Sequence, residues 1–191
     1  MEYGYRLFDT DFGRCAIAWR GDAVVATSLP ATEAALRAAM VRRAPDAREA
    51  DPPPAVEAAI AGIVALLAGE RRDLREVEVD PGPSSAFERR VWDLARTVPP
   101  GETLTYGAVA ARLGEPGGAR AVGVALGRNP VPIVVPCHRV LAASGGTGGF
   151  TAPGGVDTKM RLLSVEARHA APTGLFGALP LQAPPSRRVA R

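Results

Sequence analysis

Thr105-Tyr106-Gly107-Ala108-Val109-Ala110-Ala111-Arg112-Leu113, then Gly114-Glu115-Pro116-Gly117-Gly118, then Ala119-Arg120-Ala121-Val122-Gly123-Val124-Ala125-Leu126-Gly127, is the stretch on which the fold turns. Two helix-forming runs of nine residues flank a turn of proline and glycines, and that arrangement predicts a helix-turn-helix. Working outward, Ser85-Ala86-Phe87-Glu88 is a capping box that opens a preceding helix, which Pro99-Pro100-Gly101 stops. Downstream, Ile133-Val134-Val135 is a brief buried run, and Thr158–Ala167 reads as a last helix.

The N-terminal part reads differently. Tyr5, Leu7 and Phe8, then Cys15–Trp19, then Ala23–Ala26, separated by Gly13 and Gly21-Asp22, predict a three-stranded meander. A helix over 31–44 with Thr32 as N-cap, a second over 54–69 and a strand at Glu76–Val79 follow. The fold class expected is therefore α/β: a small antiparallel sheet with helices over residues 1–80, and a mainly helical unit over 81–170. The tail, 171–191, carries four prolines and three arginines with little periodicity, and is expected to be disordered.

Composition narrows the function classes. Of 191 residues, 47% are hydrophobic and 23% charged, a globular balance. No apolar run is long enough for a membrane span, and Met1-Glu2-Tyr3-Gly4 has no basic region followed by an apolar block, so a secretory signal is not expected. Two cysteines, Cys15 and Cys137, build no disulfide framework, and with His138 and His169 they show no zinc spacing. A reducing cytoplasm and no metal are the expectations. The net charge of +3 does not by itself imply a polyanion partner, so local clustering must carry that argument.

The chemistry concentrates in Pro136-Cys137-His138-Arg139-Val140. The preceding Asn129-Pro130-Val131-Pro132-Ile133-Val134-Val135 fixes much of its own backbone through proline. Arg139 next to the thiol would favour thiolate, and Glu166 on the last helix is placed to orient His138. On these residues alone a buried structural cysteine remains an open reading, as does a plain helical hairpin for 105–127. In the second short helix one long cation, Arg120, stands among small residues (Ala119, Ala121, Gly123), a pattern suited to close approach and to insertion into a base stack.

Four segments together resemble the O6-alkylguanine-DNA alkyltransferase family, the methylated-DNA–protein-cysteine methyltransferases. They are Gly101–Tyr106, Gly118–Gly123, Asn129–Ile133 and Pro136–Val140, and the likeness covers about residues 77–167. The resemblance implies a ribonuclease-H-like N-terminal unit and a C-terminal helix-turn-helix unit. It implies that Cys137 accepts an alkyl group irreversibly from O6-alkylguanine, and O4-alkylthymine, in double-stranded DNA after base flipping. His138 would act on the thiol through a water, with Glu166 completing the relay. Asn129 would tie the helix end to the cysteine turn, and Tyr106 would crowd the phosphate and hydrogen-bond the flipped guanine. Arg120 would fill the gap in the duplex, with Ala119, Ala121, Gly123, Arg128 and Arg139 also at the DNA. Tyr106, Val140, Phe150, Thr151 and Lys159 would line the base pocket. Phe150 stands where many members carry tyrosine and lacks its hydroxyl, and the pocket loop is about two residues longer. The resemblance implies a cofactor-free monomer.

Two other classes stay in view. A non-catalytic lesion binder of this family would lack the acceptor thiol, whereas Cys137 is present. A cysteine hydrolase would need an oxyanion motif, and none stands out.

Overall fold

The computed structural model describes residues 2–143 and 146–169. The expected disordered tail lies outside the described residues.

Strands β1 (Tyr3–Thr10), β2 (Gly13–Arg20) and β3 (Ala23–Ser28) form the antiparallel meander read from the sequence. β2 is central and buried on both faces, which explains its unbroken apolar run. Its side chains alternate, so Cys15, Ile17 and Trp19 face one core cluster while Ala16 and Ala18 face another. Gly4 is required on β1, because a Cβ there would sit 2.5 Å from the Trp19 ring.

Helix α1 (Glu33–Arg43) starts at Thr32, whose hydroxyl accepts from the Ala35 amide. It buries Leu36 and Met40 on the alanine face of the sheet. Helix α2 (Pro54–Leu67) has proline in its first turn and buries Val56, Ala59, Ile60, Ile63, Leu66 and Leu67, a repeat of three and four residues, on the other face.

The sheet departs from the expectation in two ways. A strand β4 (Arg48–Glu49) adds to β1 in parallel, giving the order β3-β2-β1-β4, so the sheet is not purely antiparallel. Residues Glu76–Val79 do not form a strand. They make one parallel bridge, Val24 to Val79, flanked by hydrogen bonds from the Val24 amide to Glu78 O and from the Asp80 amide to Val24 O. The alternation there reflects burial of Val77 rather than a ladder.

Helix α3 (Ala86–Arg96) opens with the expected capping box, Ser85 and Glu88 bonding reciprocally. Its Trp92 indole donates to Ala125 O at 2.9 Å and so fixes helix α5 (Ala119–Gly127). Helix α4 (Tyr106–Arg112) precedes α5 across the Leu113–Gly118 turn. A two-residue parallel pair, β5 (Leu104–Thr105) with β6 (Val140–Leu141), was not expected from the sequence. It ties the residue before Tyr106 to the segment after Cys137. Helix α6 (Gly155–Glu166) begins three residues earlier than read, at a left-handed Gly154. One apolar cluster runs from Phe12 through α2, α3 and α5 to Leu162 and crosses the expected boundary near residue 80.

Candidate active site

Cys137 heads a short 3-10 turn, Cys137–Arg139, at the end of a segment that other groups hold rigidly. The Asn129 amide donates to Val135 O at 2.9 Å, while its carbonyl oxygen accepts from the Val131 amide at 2.9 Å. From the sheet side, the Thr27 amide donates to Pro130 O and the Thr27 hydroxyl to Pro132 O at 2.6 Å. Ile133 takes a φ of 79°, a costly region for a β-branched residue, which these bonds on either side help to hold.

Behind the cysteine lies a buried ionic cluster. His138 Nε2 is 3.0 Å from Glu166 Oε1. Arg139 donates to both Glu166 oxygens, at 2.9 and 2.8 Å, and to Val98 O at 2.6 Å. All three side chains are buried. With a carboxylate on Nε2, that nitrogen carries the proton and Nδ1 is left as the acceptor. Nδ1 has no protein partner among the described residues.

The electrostatics follow. Burial pushes the Cys137 thiol up, while the Asn129 side chain and the Lys159 charge pull the other way. Burial lowers His138, against the opposing pull of Glu166, so the imidazole is neutral near pH 7 and free to take a proton. Burial alone would raise Glu166, yet His138 and Arg139 hold it at about 2. Burial also lowers Lys159 to about 8. Cys15 is a different case, pushed up to about 11 by burial with no base beside it.

Three expectations for this cluster are corrected. Arg139 is not at a DNA surface: it is fully buried and committed to Glu166 and Val98. The cation acting on the thiol is Lys159, not Arg139. Lys159 and Val140 are not among the residues that line the cleft in front of Cys137. Both are fully buried, with Lys159 Nζ donating to Val140 O at 2.7 Å and lying 5.8 Å from the centre of the Tyr106 ring.

In front of Cys137 opens a cleft of about 900 Å³. Tyr106, Phe150 and Thr151, named above for the base pocket, line it, and so do Ala119, Arg120 and Gly123, named for the DNA, and Asn129. Thr105 caps α4 through the Ala108 amide and so sets the direction of Tyr106. Gly148 lies against that ring, since a Cβ there would be 2.6 Å from the Tyr106 hydroxyl. Thr151 anchors the same loop by donating to Gly127 O at 3.2 Å. Ala121 and Arg128 face a separate groove beside α3, where Arg128 pairs with Glu88 at 3.0 Å. The residues missed by sequence reasoning are those of α1, whose Ala35, Ala39, Arg42 and Arg43 form the far wall of the cleft. No local signal in α1 marks that role. Among the described residues no cluster of three or more His, Cys, Asp or Glu can hold a metal, and no helix is long and apolar enough to cross a membrane.

Comparisons with known proteins agree on one group. The family described as 6-O-methylguanine DNA methyltransferase, DNA binding domain, matches residues 86–168. The methylated-DNA–protein-cysteine methyltransferase of Mycobacterium tuberculosis H37Rv is 39% identical over 166 residues, 87% of this chain and 93% of its own length. That of Mycolicibacterium paratuberculosis is 48% identical over 117 residues, 61% of this chain and 68% of its own. The crystal structure of Mycobacterium tuberculosis OGT in complex with DNA superposes with a TM-score of 0.69 at 34% identity, covering 87% of this chain and 94% of that one.

Proposed function

Because the chain belongs to the methylated-DNA–protein-cysteine methyltransferase family, we propose that Cys137 is the residue that takes the alkyl group of O6-alkylguanine in duplex DNA. The protein binds DNA and repairs alkyl damage by direct reversal. The observation that carries the residue assignment is a cleft-lining thiol at Cys137 followed in the chain by His138, whose ring is paired with buried Glu166.

The lesion lies inside the duplex, so the base must leave the stack to reach a cleft. Tyr106 and Phe150 receive the flipped base, and Arg120 fills the space it vacates. The buried thiol is not ionised in advance, and a base must take its proton during reaction. His138 does so through Nδ1 by way of a water, and Glu166 stabilises the imidazolium that forms. The sulfur–carbon bond forms as the carbon–O6 bond breaks. Net, the thiol proton replaces the alkyl group on guanine. The Tyr106 hydroxyl hydrogen-bonds the base as charge develops on it. O4-alkylthymine presents the same kind of alkyl carbon and is the second substrate.

Finer features of the architecture belong to the same proposal. The meander followed by α1 and a parallel β4 supports a ribonuclease-H-like unit over about 1–80. The α4–turn–α5 pair supports a helix-turn-helix within 81–170, with Ala119, Ala121 and Gly123 allowing close approach to the groove. Ala121 and Arg128 contact DNA from the groove beside α3. The protein acts as a monomer, since one chain holds every group named.

Incubation with alkylated duplex, followed by intact-mass measurement, tests the assignment. One alkyl group is gained, repair stops at about one per protein molecule, and Cys137→Ser gains nothing while still binding DNA. A thioether has no electrophilic carbonyl for water to attack, so turnover beyond that plateau would refute the acceptor role and favour a hydrolase.

A further inference from the structure

Ala35, Ala38, Ala39 and Arg42 recur at i, i+3, i+4 and i+7 and so share one face of α1. Leu36 and Met40, buried on the sheet, pin the helix with that face turned into the cleft above Cys137. The opposite wall repeats the spacing: Arg120, Gly123, Val124 and Gly127 run along α5. Each wall is made of small or apolar side chains with an arginine at one end.

The charge in this cleft is one-sided. Arg42, Arg43 and Arg120 line it, and among the described residues no aspartate or glutamate does. No side chain of the three has a carboxylate or hydrogen-bond partner among the described residues. Several arginines outside the cleft, Arg6, Arg14, Arg20, Arg37, Arg128 and Arg139 among them, are matched to an acid. Uncompensated cations on low-dielectric walls focus a positive potential into the cleft and draw in anions. A guanidinium offers a planar fork that fits two phosphate oxygens, and the alanines beside it let a backbone come close.

We propose that Arg42 and Arg43 bind phosphates of the DNA strand flanking the flipped nucleotide, so that α1 of the N-terminal half forms a second wall of the nucleic-acid site. The proposal rests on the alkyl-transfer reading above. It divides the labour between two helices: α5 enters the duplex and α1 grips the backbone outside it.

The test compares the full chain with Arg42→Ala/Arg43→Ala and with Arg48→Ala/Arg71→Ala. The second variant removes the same two charges from exposed sites away from the cleft. Duplex binding is measured against salt concentration, and alkyl transfer is measured on free O6-methylguanine base. Each phosphate contact contributes about 0.9 to the slope of log K against log salt, so the cleft variant should lose about 1.8 from that slope. At roughly 0.1 M salt its affinity should fall by tens of fold, with the control close to wild type. Reaction with free base should persist in both. A cleft variant that binds like the control overturns the proposal, and so does a parallel loss on free base, which would mean the arginines act through the fold. If the wild-type chain transfers no alkyl group, the underlying reading fails and this one falls with it.

Discussion

Replacing Arg139 by methionine separates the two roles that its position in the sequence allows. The side chain is fully buried and makes three hydrogen bonds, two to Glu166 and one to Val98 O. Methionine fills similar space but leaves the Glu166 carboxylate facing only His138 and the Val98 carbonyl without that donor. Removing one partner of a buried ion pair costs about 3–5 kcal/mol, because the remaining charge stays desolvated. For a chain of this length each kcal/mol moves the melting temperature by about 2–4 °C, so Arg139→Met should melt about 6–20 °C lower. Thermal unfolding followed by circular dichroism reads this directly. The same preparation, kept below its melting point, should bind duplex DNA with the wild-type salt slope, since no phosphate contact has been lost. A melting temperature within about 2 °C of wild type, with a slope reduced by about 0.9, would refute the reasoning and return Arg139 to the DNA surface.

Glu166→Gln should slow single-turnover transfer while leaving DNA affinity nearly intact, because an amide cannot stabilise the His138 imidazolium equally well. It should also flatten acid unfolding: Glu166 sits at about 2 in the fold against an ordinary 4.5, so its stabilisation is present above about 4.5 and is lost as pH falls toward 2. An unchanged rate or an unchanged acid profile would remove Glu166 from the relay. Arg120→Ala should impair repair of duplex more than reaction with free O6-alkylguanine, since a free base needs no flipping, and equal losses would refute the insertion role. Gly148→Ala should cost about 1 kcal/mol, because φ is +68° there, and should slow transfer by displacing the Tyr106 hydroxyl. An unaltered rate on duplex would show that the loop does not position the tyrosine.

Much of this architecture was legible where a local rule acts alone. Thr32 and Ser85 mark their helices because an N-cap side chain bonds only two or three residues away. The meander was legible because glycines punctuate it. β4, β5 and β6 were not, because each is two residues long and a ladder that short leaves no periodicity. The same divide runs through the site. Cys137, His138 and Glu166 stand out by residue type and by family resemblance. The direction of Arg139 does not, since only the fold decides that its side chain turns inward, to Glu166 and Val98 O, rather than out toward DNA. Arg42 and Arg43 read as cations closing a helix, and nothing local connects them to a cysteine more than ninety residues away.

The outer edge of β3 is covered by segments from far along the chain: Glu78 and Asp80 bond Val24, and Pro130 and Pro132 accept from Thr27. An uncovered strand edge is a template for pairing with other chains and a common start of aggregation. Here the segment leading to the reactive cysteine also serves as the guard of that edge. A fragment cut before Glu78 would keep the whole meander yet lose both guards. It would then present Val24 and Thr27 as open hydrogen-bonding groups along a largely buried strand. Part of the closure of the N-terminal sheet edge thus comes from the segment that carries the chemistry.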